Sequence, residues 1–261
     1  MPRLGLGVYK ASETETKQAV LNAIEAGYRL IDTAWLYENE RQVGEAVREC
    51  GLPREEIFVT TKLWNDFHGY DAALSAFERS MDNLGLDYVD LYRIHWPGRN
   101  RYVETYRALE KLLKNGRVRA IGVSNFLEHH LETLMQQTEI PPAVNQIEIN
   151  PFYQQAGTRR WCQQRGIVVE GWRPIAKGAV NCCDEIIRIA DKYEKSPVQI
   201  AIRWALQHDT VVIPKSIQKD RIVSNADVWD FALTEEEMAT IDRLEGSSLY
   251  TPSNHPDELL F

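Results

Sequence analysis

Short runs of β-branched and other apolar residues alternate with longer segments of helical periodicity along the whole chain. Eight short runs have the length and composition of buried strands, and they lie at Leu4–Val8, Arg29–Asp32, Phe58–Lys62, Leu91–His95, Ala120–Ser124, Val144–Ile147, Val168–Trp172 and Val211–Pro214. The segments between them place apolar residues on one face of a helix at Thr16–Ala26, Glu40–Glu49, Ala72–Leu84, Val103–Leu113, Leu127–Met135, Thr158–Arg165 and Glu185–Tyr193. Regular alternation of strand and helix predicts a parallel sheet covered by helices.

Eight strand–helix units that close on themselves explain this count better than an open, doubly wound sheet. A chain of 261 residues has the length of one (β/α)8 barrel, and no linker rich in Pro, Gly or Ser divides it. The first predicted strand is not followed by the GxGxxG sequence of a dinucleotide-binding domain. We therefore predict an α/β fold, a TIM barrel in which residues 1–261 form a single domain.

Three segments near the C-terminus exceed the eightfold pattern. Ser196–Gln207 begins with the N-cap serine and first-turn proline of a helix, and Thr234–Leu244 opens with a capping box of Thr234 and Glu237. Both segments predict extra helices. The tail Gly246–Phe261 contains several proline and serine residues, and it is interpreted either as a loop over the barrel mouth or as a frayed terminus.

Composition narrows the range of partners. The chain is 44% hydrophobic with a net charge of −8, which is typical of a globular protein and argues against nucleic acid or an anionic membrane as partner. It has no basic-then-apolar leader, and no apolar run approaches the ~18–20 residues of a membrane span. Its four cysteines lack the spacing of a metal site or a disulfide framework, which favours reduced thiols. We expect a cytoplasmic monomer with no bound metal.

Polar side chains end most of the predicted strands. Asp32 ends the second strand, Lys62 the third and His95 the fourth. The later strands end in polar residues as well, at Ser124-Asn125, Gln146 and Lys215-Ser216. Simple loops after strands are expected to begin with Gly, Asn or Asp rather than with lysine or histidine. Because the active site of a barrel lies at the carboxyl ends of its strands, these residues predict a catalytic site there.

The residues at the strand ends have the chemistry of carbonyl reduction. Asp32 and Lys62 would form an ion pair if both face the barrel axis, and a nearby positive charge lowers the pKa of a phenol. Tyr37 follows Asp32 by five residues and is within reach of the same point. A tyrosine with a lowered pKa can protonate a carbonyl oxygen, to which His95 can donate a hydrogen bond.

Seven segments carry a resemblance to the aldo-keto reductase family over essentially the whole chain. In chain order they are Gly27-Tyr-Arg-Leu-Ile-Asp-Thr-Ala34, Val59-Thr-Thr-Lys-Leu-Trp64, Asp87-Tyr-Val-Asp-Leu-Tyr92, Ile94-His-Trp-Pro97, Ile121-Gly-Val-Ser-Asn-Phe126, Val144-Asn-Gln-Ile-Glu148 and Ile213-Pro-Lys-Ser-Ile217. The chain looks most similar to the bacterial branch with 2,5-diketo-gluconate and glyoxal or methylglyoxal reductases. The resemblance implies reduction of small aldehydes, ketoaldehydes or keto-sugars with NADPH, by the tetrad Asp32, Tyr37, Lys62 and His95.

The resemblance also implies which residues hold the cofactor. The nicotinamide end matches four residues, Ser124, Asn125, Gln146 and the stacking aromatic Trp172. The adenosine end matches five, Lys215, Ser216, Ile217, Arg221 and Asn225. Taken by themselves, Lys215 and Ser216 with Arg221 form an anion site near a helix start, which favours NADPH over NADH. Arg173 replaces a family serine at the pyrophosphate and is therefore a further cofactor-binding candidate.

Aromatic residues beside the catalytic positions are the candidate walls of a substrate pocket. They are Tyr9, Trp35, Trp64 and Trp96, with His95 as a further substrate contact. Two other functions stay open, namely a non-catalytic NADPH-binding regulator on the same barrel and a metal-dependent barrel hydrolase. The intact tetrad argues against the regulator. The hydrolase would need a cluster of metal ligands at the strand ends, where only Asp32 and His95 qualify.

Arg93 is the least expected residue of the chain. It shares the inward direction of His95 on the fourth strand, and Glu170 has the same relation to Trp172 on the seventh. An unpaired guanidinium inside a packed barrel is very costly. We therefore predict that Arg93 pairs with Glu170 beneath the active site, the alternative being a bulge that turns Arg93 outward to solvent.

Overall fold

Eight parallel strands in chain order form the sheet of the structure, a computed structural model that describes residues 1–98, 101–252 and 254–259. The strands are β1 (Leu6–Gly7), β2 (Leu30–Asp32), β3 (Phe58–Leu63), β4 (Val89–Ile94), β5 (Val118–Ser124), β6 (Val144–Glu148), β7 (Val168–Trp172) and β8 (Val211–Val212). The sheet closes because the first and last strand segments also contact each other. Gly5 N–H donates to Val212 O at 2.9 Å, and Val212 N–H donates to Arg3 O at 3.0 Å. The predicted TIM barrel is confirmed.

Ten α-helices among the described residues cover the barrel and its end. They are α1 (Glu13–Glu25), α2 (Glu40–Glu49), α3 (Tyr70–Leu84), α4 (Tyr102–Lys114), α5 (Glu128–Gln137), α6 (Ala156–Gln163), α7 (Asp184–Tyr193), α8 (Pro197–Gln207), α9 (Lys219–Ala226) and α10 (Glu235–Asp242). The sequence predicted all of these except α9. None of these helices is both long enough and apolar enough to cross a membrane.

The helix starts follow the predicted capping chemistry. Ser196 Oγ accepts a hydrogen bond from Gln199 N–H at 3.3 Å at the start of α8. Thr234 Oγ1 accepts one from Glu237 N–H at 3.2 Å at the start of α10. Helix α9 has only eight residues, of which only Ile222 and Asn225 are buried, and it lacks both the long apolar stripe of α1–α7 and the capping side chain of α8 and α10.

The interior of the barrel is unusual because several of its buried side chains are charged. Lys62, Arg93 and Glu170 have no exposed surface. Gly122 of β5 stands beside Arg93 of β4 in the strand register. A Cβ atom at Gly122 would lie 2.6 Å from Val144 O and 3.4 Å from Arg93 Cγ, so glycine leaves room there for the neighbouring strand and the arginine stem.

Candidate active site

The ends of three neighbouring strands and one short helix bring the predicted catalytic residues together. Asp32 ends β2, and the short 310 helix Trp35–Tyr37 that follows carries Tyr37. Lys62 lies near the end of β3, and His95 directly follows β4. Asp32, Lys62 and His95 are buried, and Tyr37 is partly exposed. The chain therefore gathers its four tetrad candidates at one point of the barrel mouth, as predicted.

Lys62 is the hub of this group. Its Nζ donates hydrogen bonds to Asp32 Oδ1 at 2.6 Å, to Thr33 O at 2.9 Å and to Tyr37 Oη at 3.2 Å. An ammonium has three hydrogens, so these contacts use all of them. Because the Tyr37 oxygen accepts from Lys62, its own hydrogen is available to another acceptor. The predicted ion pair of Asp32 and Lys62 is confirmed.

The electrostatics of Tyr37 differ from the prediction. Burial raises the pKa of Tyr37 well above its usual range and Asp32 raises it further, whereas Arg93 lowers it. The expected lowering of the phenol pKa by Lys62 is wrong for this structure, because removal from water penalises the phenolate and Asp32 offsets the lysine charge. Burial also lowers the pKa of Lys62 to about 8, against the opposing effect of Asp32.

His95 forms the next wall of the site. Burial lowers the pKa of His95 well below its usual range, and the charges of Lys62 and Arg93 lower it further. The imidazole is therefore neutral at physiological pH and carries one N–H donor. Its ring packs edge-to-face against Tyr37 at 5.7 Å and against Trp64 at 5.1 Å between ring centroids. His95 Nδ1 is buried and has no hydrogen-bond partner among the described residues.

Arg93 lies inside the barrel, as predicted from the sequence. Its Nη1 forms an ion pair with Glu170 Oε2, so the predicted pairing is confirmed and the outward bulge is wrong. A second contact was not predicted: Arg93 Nη2 pairs with Oδ2 of Asp32. Gln146 Nε2 donates to the same two carboxylates, at 3.1 Å to Asp32 Oδ2 and 3.0 Å to Glu170 Oε2. We call Asp32, Lys62, Arg93, Gln146 and Glu170 the interior network.

The residues predicted for the nicotinamide end lie beside this network. Asn125 Nδ2 donates to His95 O at 2.9 Å, and Trp172 Nε1 donates to Asn125 Oδ1 at 2.9 Å. Asn125 adopts a positive φ of 63°, which asparagine tolerates better than most residues. Ser124 is paired in register with Gln146, and its Oγ is buried with no hydrogen-bond partner in the parts of the chain that the structure describes. This hydroxyl is therefore free to bond a polar ligand group at the mouth.

The residues predicted for the adenosine end gather where α9 begins. Ser216 Oγ accepts from Gln218 N–H at 3.1 Å, which shapes the turn into the helix. Ser216 and Asn225 are buried, Ile217 is half-buried, and Lys215 and Arg221 are exposed. Neither cation has a described carboxylate within ion-pair distance. The turn, the helix start and two exposed cations together fit a phosphate group.

The predicted substrate residues all lie at the mouth. The Tyr9 ring is 4.9 Å from the Tyr37 ring, and Trp64 packs on His95. Trp96 lines a small cavity with Asn125, Glu148 and Trp172. Asn254 and Pro256 of the tail line the same cavity, so the described part of the tail folds over the mouth rather than fraying.

Arg173 contacts Trp172 and Glu148, and its contact with Glu148 was not predicted from the sequence. Its guanidinium carbon lies 4.9 Å from the centroid of the Trp172 ring, and its Nη1 lies 3.5 Å from Glu148 Oε1. Tyr250 of the tail donates its hydroxyl to the same Glu148 oxygen. Glu148, which is buried, therefore connects the end of β7 to the tail. Its position two residues beyond Gln146 on β6 was the one available sequence signal for it.

His129 and His130 at the start of α5 lie close to Asp257 of the tail. Their Nε2 atoms are 3.1 and 3.2 Å from Asp257 Oδ1. His130 Nδ1 accepts the backbone N–H of Leu127 at 3.2 Å, so its Nε2 carries the ring hydrogen and donates to Asp257. This hydrogen disfavours a metal ion at His130 Nε2 and makes the group an attachment point of the tail. It shares no residue with the interior network.

Comparison with known proteins gives consistent matches along the chain. A sequence profile described as the Aldo/keto reductase family matches residues 3–245. The 9,11-endoperoxide prostaglandin H2 reductase of Trypanosoma cruzi is 54% identical over 94% of this chain and 88% of its own length. The glyoxal reductase of Bacillus subtilis is 49% identical over 100% of this chain and 94% of its own length. A solved structure of a Gox0644 mutant in complex with NADPH is 42% identical, with a TM-score of 0.94 over 100% of this chain and 95% of that one.

Proposed function

The chain belongs to the aldo/keto reductase family, and we propose that Tyr37 is the proton donor when it reduces a small aldehyde, ketoaldehyde or keto-sugar. It is an NADPH-dependent oxidoreductase. The observation that carries the proposal is the hydrogen bond of 3.2 Å from Lys62 Nζ to Tyr37 Oη. This bond presents the hydroxyl hydrogen of Tyr37 to the mouth of the barrel, where a carbonyl oxygen can accept it.

The proposed roles follow from the protonation states of the side chains. The raised pKa of Tyr37 keeps the phenol protonated before the reaction. Bound NADPH would supply the hydride for the carbonyl carbon, so the carbonyl oxygen would need a proton. Tyr37 donates this proton, and the ammonium of Lys62 stabilises the phenolate that remains. Neutral His95 donates its N–H to the carbonyl oxygen and fixes its direction toward Tyr37.

The residues present fit the cofactor at both of its ends. The hydroxyl of Ser124 offers a hydrogen bond to a carboxamide, and the amide oxygens of Asn125 and Gln146 can accept one, since both hydrogens of Gln146 Nε2 are used by Asp32 and Glu170; the ring of Trp172 offers a stacking surface. Lys215 and Arg221 at the start of α9 would hold the 2′-phosphate, which NADH lacks. We assign the remaining candidates, Ser216, Ile217, Asn225 and Arg173, to the same cofactor.

The substrate class rests on the walls of the mouth. Tyr9, Trp64 and Trp96 make these walls aromatic, which suits a small, partly apolar carbonyl compound held against His95. Similarity to a glyoxal reductase and to a methylglyoxal reductase supports dicarbonyl substrates such as glyoxal and methylglyoxal. A turnover assay with NADPH and methylglyoxal distinguishes this function from that of a non-catalytic NADPH-binding regulator, which would bind the cofactor without oxidising it.

The variant Tyr37→Phe tests the proton donor directly. It removes only the hydroxyl, so kcat should fall by about 10²–10⁴-fold while NADPH binding stays close to wild type. Tyr106→Phe is the matched control, because it removes the hydroxyl of a buried tyrosine on α4 that has no hydrogen-bond partner among the described residues, and it should leave kcat nearly unchanged. A Tyr37→Phe enzyme that keeps a tenth of the wild-type kcat would remove the basis of the assignment.

A further inference from the structure

Arg93 contacts a proposed catalytic group from below. Its guanidinium has no exposed surface and bridges two carboxylates, those of Asp32 and Glu170. Each carboxylate comes from a different strand, β2 and β7, and Arg93 comes from β4 between them. The arginine therefore connects distant sides of the barrel beneath the mouth.

The two oxygens of Asp32 have separate partners. Oδ1 accepts from Lys62 at 2.6 Å, whereas Oδ2 accepts from Arg93 and from Gln146. With both Oδ2 donors in place, the carboxylate cannot rotate without breaking strong, charge-assisted bonds. Asp32 Oδ1 in turn fixes the ammonium of Lys62 against Tyr37. A chain of four contacting groups thus runs from Arg93 to the phenol oxygen.

The ion pair of Arg93 and Glu170 has a geometry that contributes little to the stability of the fold. Arg93 Nε and Glu170 Oε1 are buried, and within the described residues neither has a hydrogen-bond partner. Buried ion pairs often contribute little net stability, and an apolar pair of similar volume can replace them at no cost. A role in stability alone therefore does not explain why a guanidinium occupies this place.

We propose that Arg93 is a positioning residue for proton transfer, which holds Oδ2 of Asp32 so that Oδ1 keeps Lys62 in contact with Tyr37. This inference rests on the proposed function of Tyr37. Arg93 has no hydrogen bond to the phenol hydroxyl in the part of the chain that the structure describes, so its contact with Tyr37 runs through Asp32 and Lys62. Because the guanidinium stays charged at all relevant pH values, its contact with Asp32 persists even where Lys62 loses its proton.

The charges around Lys62 give the proposal a second readout. The titratable groups that face it are Asp32, Tyr37, Glu40, Arg93, His95 and Glu170, and Gln146 is a neutral member of the network. The charge of Arg93 lowers the pKa of Lys62, and that of Glu170 raises it. Variants that differ only in the charge at position 93 should therefore differ in the pH at which Lys62 loses its proton.

The experiment compares two variants that both lack the charge of Glu170. Glu170→Gln keeps the contact between Arg93 and Asp32, whereas the double variant Arg93→Met/Glu170→Met removes it and leaves no unpaired buried charge. Melting temperature, kcat, KM and the pH dependence of kcat are measured for both with NADPH and methylglyoxal. Arg93→Met alone is a third variant. It leaves the buried carboxylate of Glu170 without its cation, so its melting temperature is expected to fall.

Positioning predicts a specific pattern. The double variant melts close to wild type but loses about 10- to 100-fold in kcat with KM nearly unchanged, because Lys62 and Tyr37 are no longer aligned. Glu170→Gln loses much less of kcat than the double variant when both are measured well below the pKa of Lys62. The fall of kcat with rising pH occurs at higher pH in the double variant than in Glu170→Gln.

Two results overturn the proposal. One is a double variant with wild-type melting and wild-type kcat, which would show that Arg93 is dispensable for both stability and proton transfer. The other is an equal loss of kcat in Glu170→Gln and in the double variant, which would assign the effect to Glu170. If Tyr37→Phe is itself active, the proposed function fails first, and that result is independent of both Arg93 variants.

Discussion

The two ends of the proposed cofactor site use charge in opposite ways. At the reaction end, Lys62 and Arg93 are fully buried, and each is in contact with carboxylates. At the adenosine end, Lys215 and Arg221 are exposed and have no described carboxylate within ion-pair distance. The first pair is balanced within the fold itself, and the second is arranged for a charge that arrives with the ligand.

Because of this difference, the buried charges should affect the rate of the chemical step, and the exposed charges should affect the affinity for the cofactor. A buried charge has its pKa set by its neighbours, and its removal affects the groups it touches through a poorly screened medium. An exposed charge contributes little to folding and is screened by salt, so its effect is felt when a phosphate binds. We therefore expect substitutions at the reaction end to change kcat and substitutions at the adenosine end to change cofactor affinity.

The largest effect after loss of Tyr37 is expected at Lys62. Lys62→Met removes the cation that stabilises the phenolate, so kcat should fall by about 10²–10⁴-fold. The variant should still fold, because Asp32 keeps Arg93 and Gln146 as partners. Steady-state kinetics with methylglyoxal measure kcat, and a fluorescence titration measures the Kd for NADPH. A weakened NADPH affinity with intact kcat would reverse the proposed division between the two ends.

A smaller effect is expected at Arg221. Charge-assisted contacts contribute roughly 1.5–3 kcal/mol, so Arg221→Ala should raise the Kd for NADPH by about 10- to 150-fold and leave NADH nearly unchanged. Lys219→Ala is the matched control, since Lys219 lies on the same helix but pairs with Glu25 at 2.7 Å. Equal losses for NADPH and NADH would mean that Arg221 has a structural role instead.

The smallest effect is a pH dependence. Lys62 is charged below its pKa of about 8 and neutral above it, so kcat should be constant at lower pH and fall as pH rises through that value. Tyr37 cannot cause a fall near pH 8, because its pKa is raised well above the usual range. In Lys62→Met, the residual kcat should not fall as the pH rises through about 8. A fall that persists in Lys62→Met would assign the titration to another group.

The strand-end residues were predictable from sequence because the fold itself brings them together. Once eight parallel strands form a barrel, Asp32, Lys62 and His95 must meet at its mouth. The pairing of Arg93 with Glu170 was predictable for a related reason, since side-chain alternation turns both inward and a buried guanidinium needs an acceptor.

Other features depend on distances that no sequence pattern gives. The second contact of Arg93, with Asp32, requires strands β2 and β4 to face each other across the interior. The pKa of Tyr37 was predicted in the wrong direction because the degree of burial outweighs the nearest charge. Helix α9 and the contact of Tyr250 with Glu148 were missed because one is short and polar and the other joins residues far apart in the chain.

The most direct test of the account is the single-turnover rate of NADPH oxidation in Tyr37→Phe. Saturating methylglyoxal is mixed with the enzyme–NADPH complex, so that the rate reports the chemical step without product release. The account predicts a rate at least about 100-fold below wild type, with the Kd for NADPH nearly unchanged. A rate within tenfold of wild type would contradict Tyr37 as the proton donor.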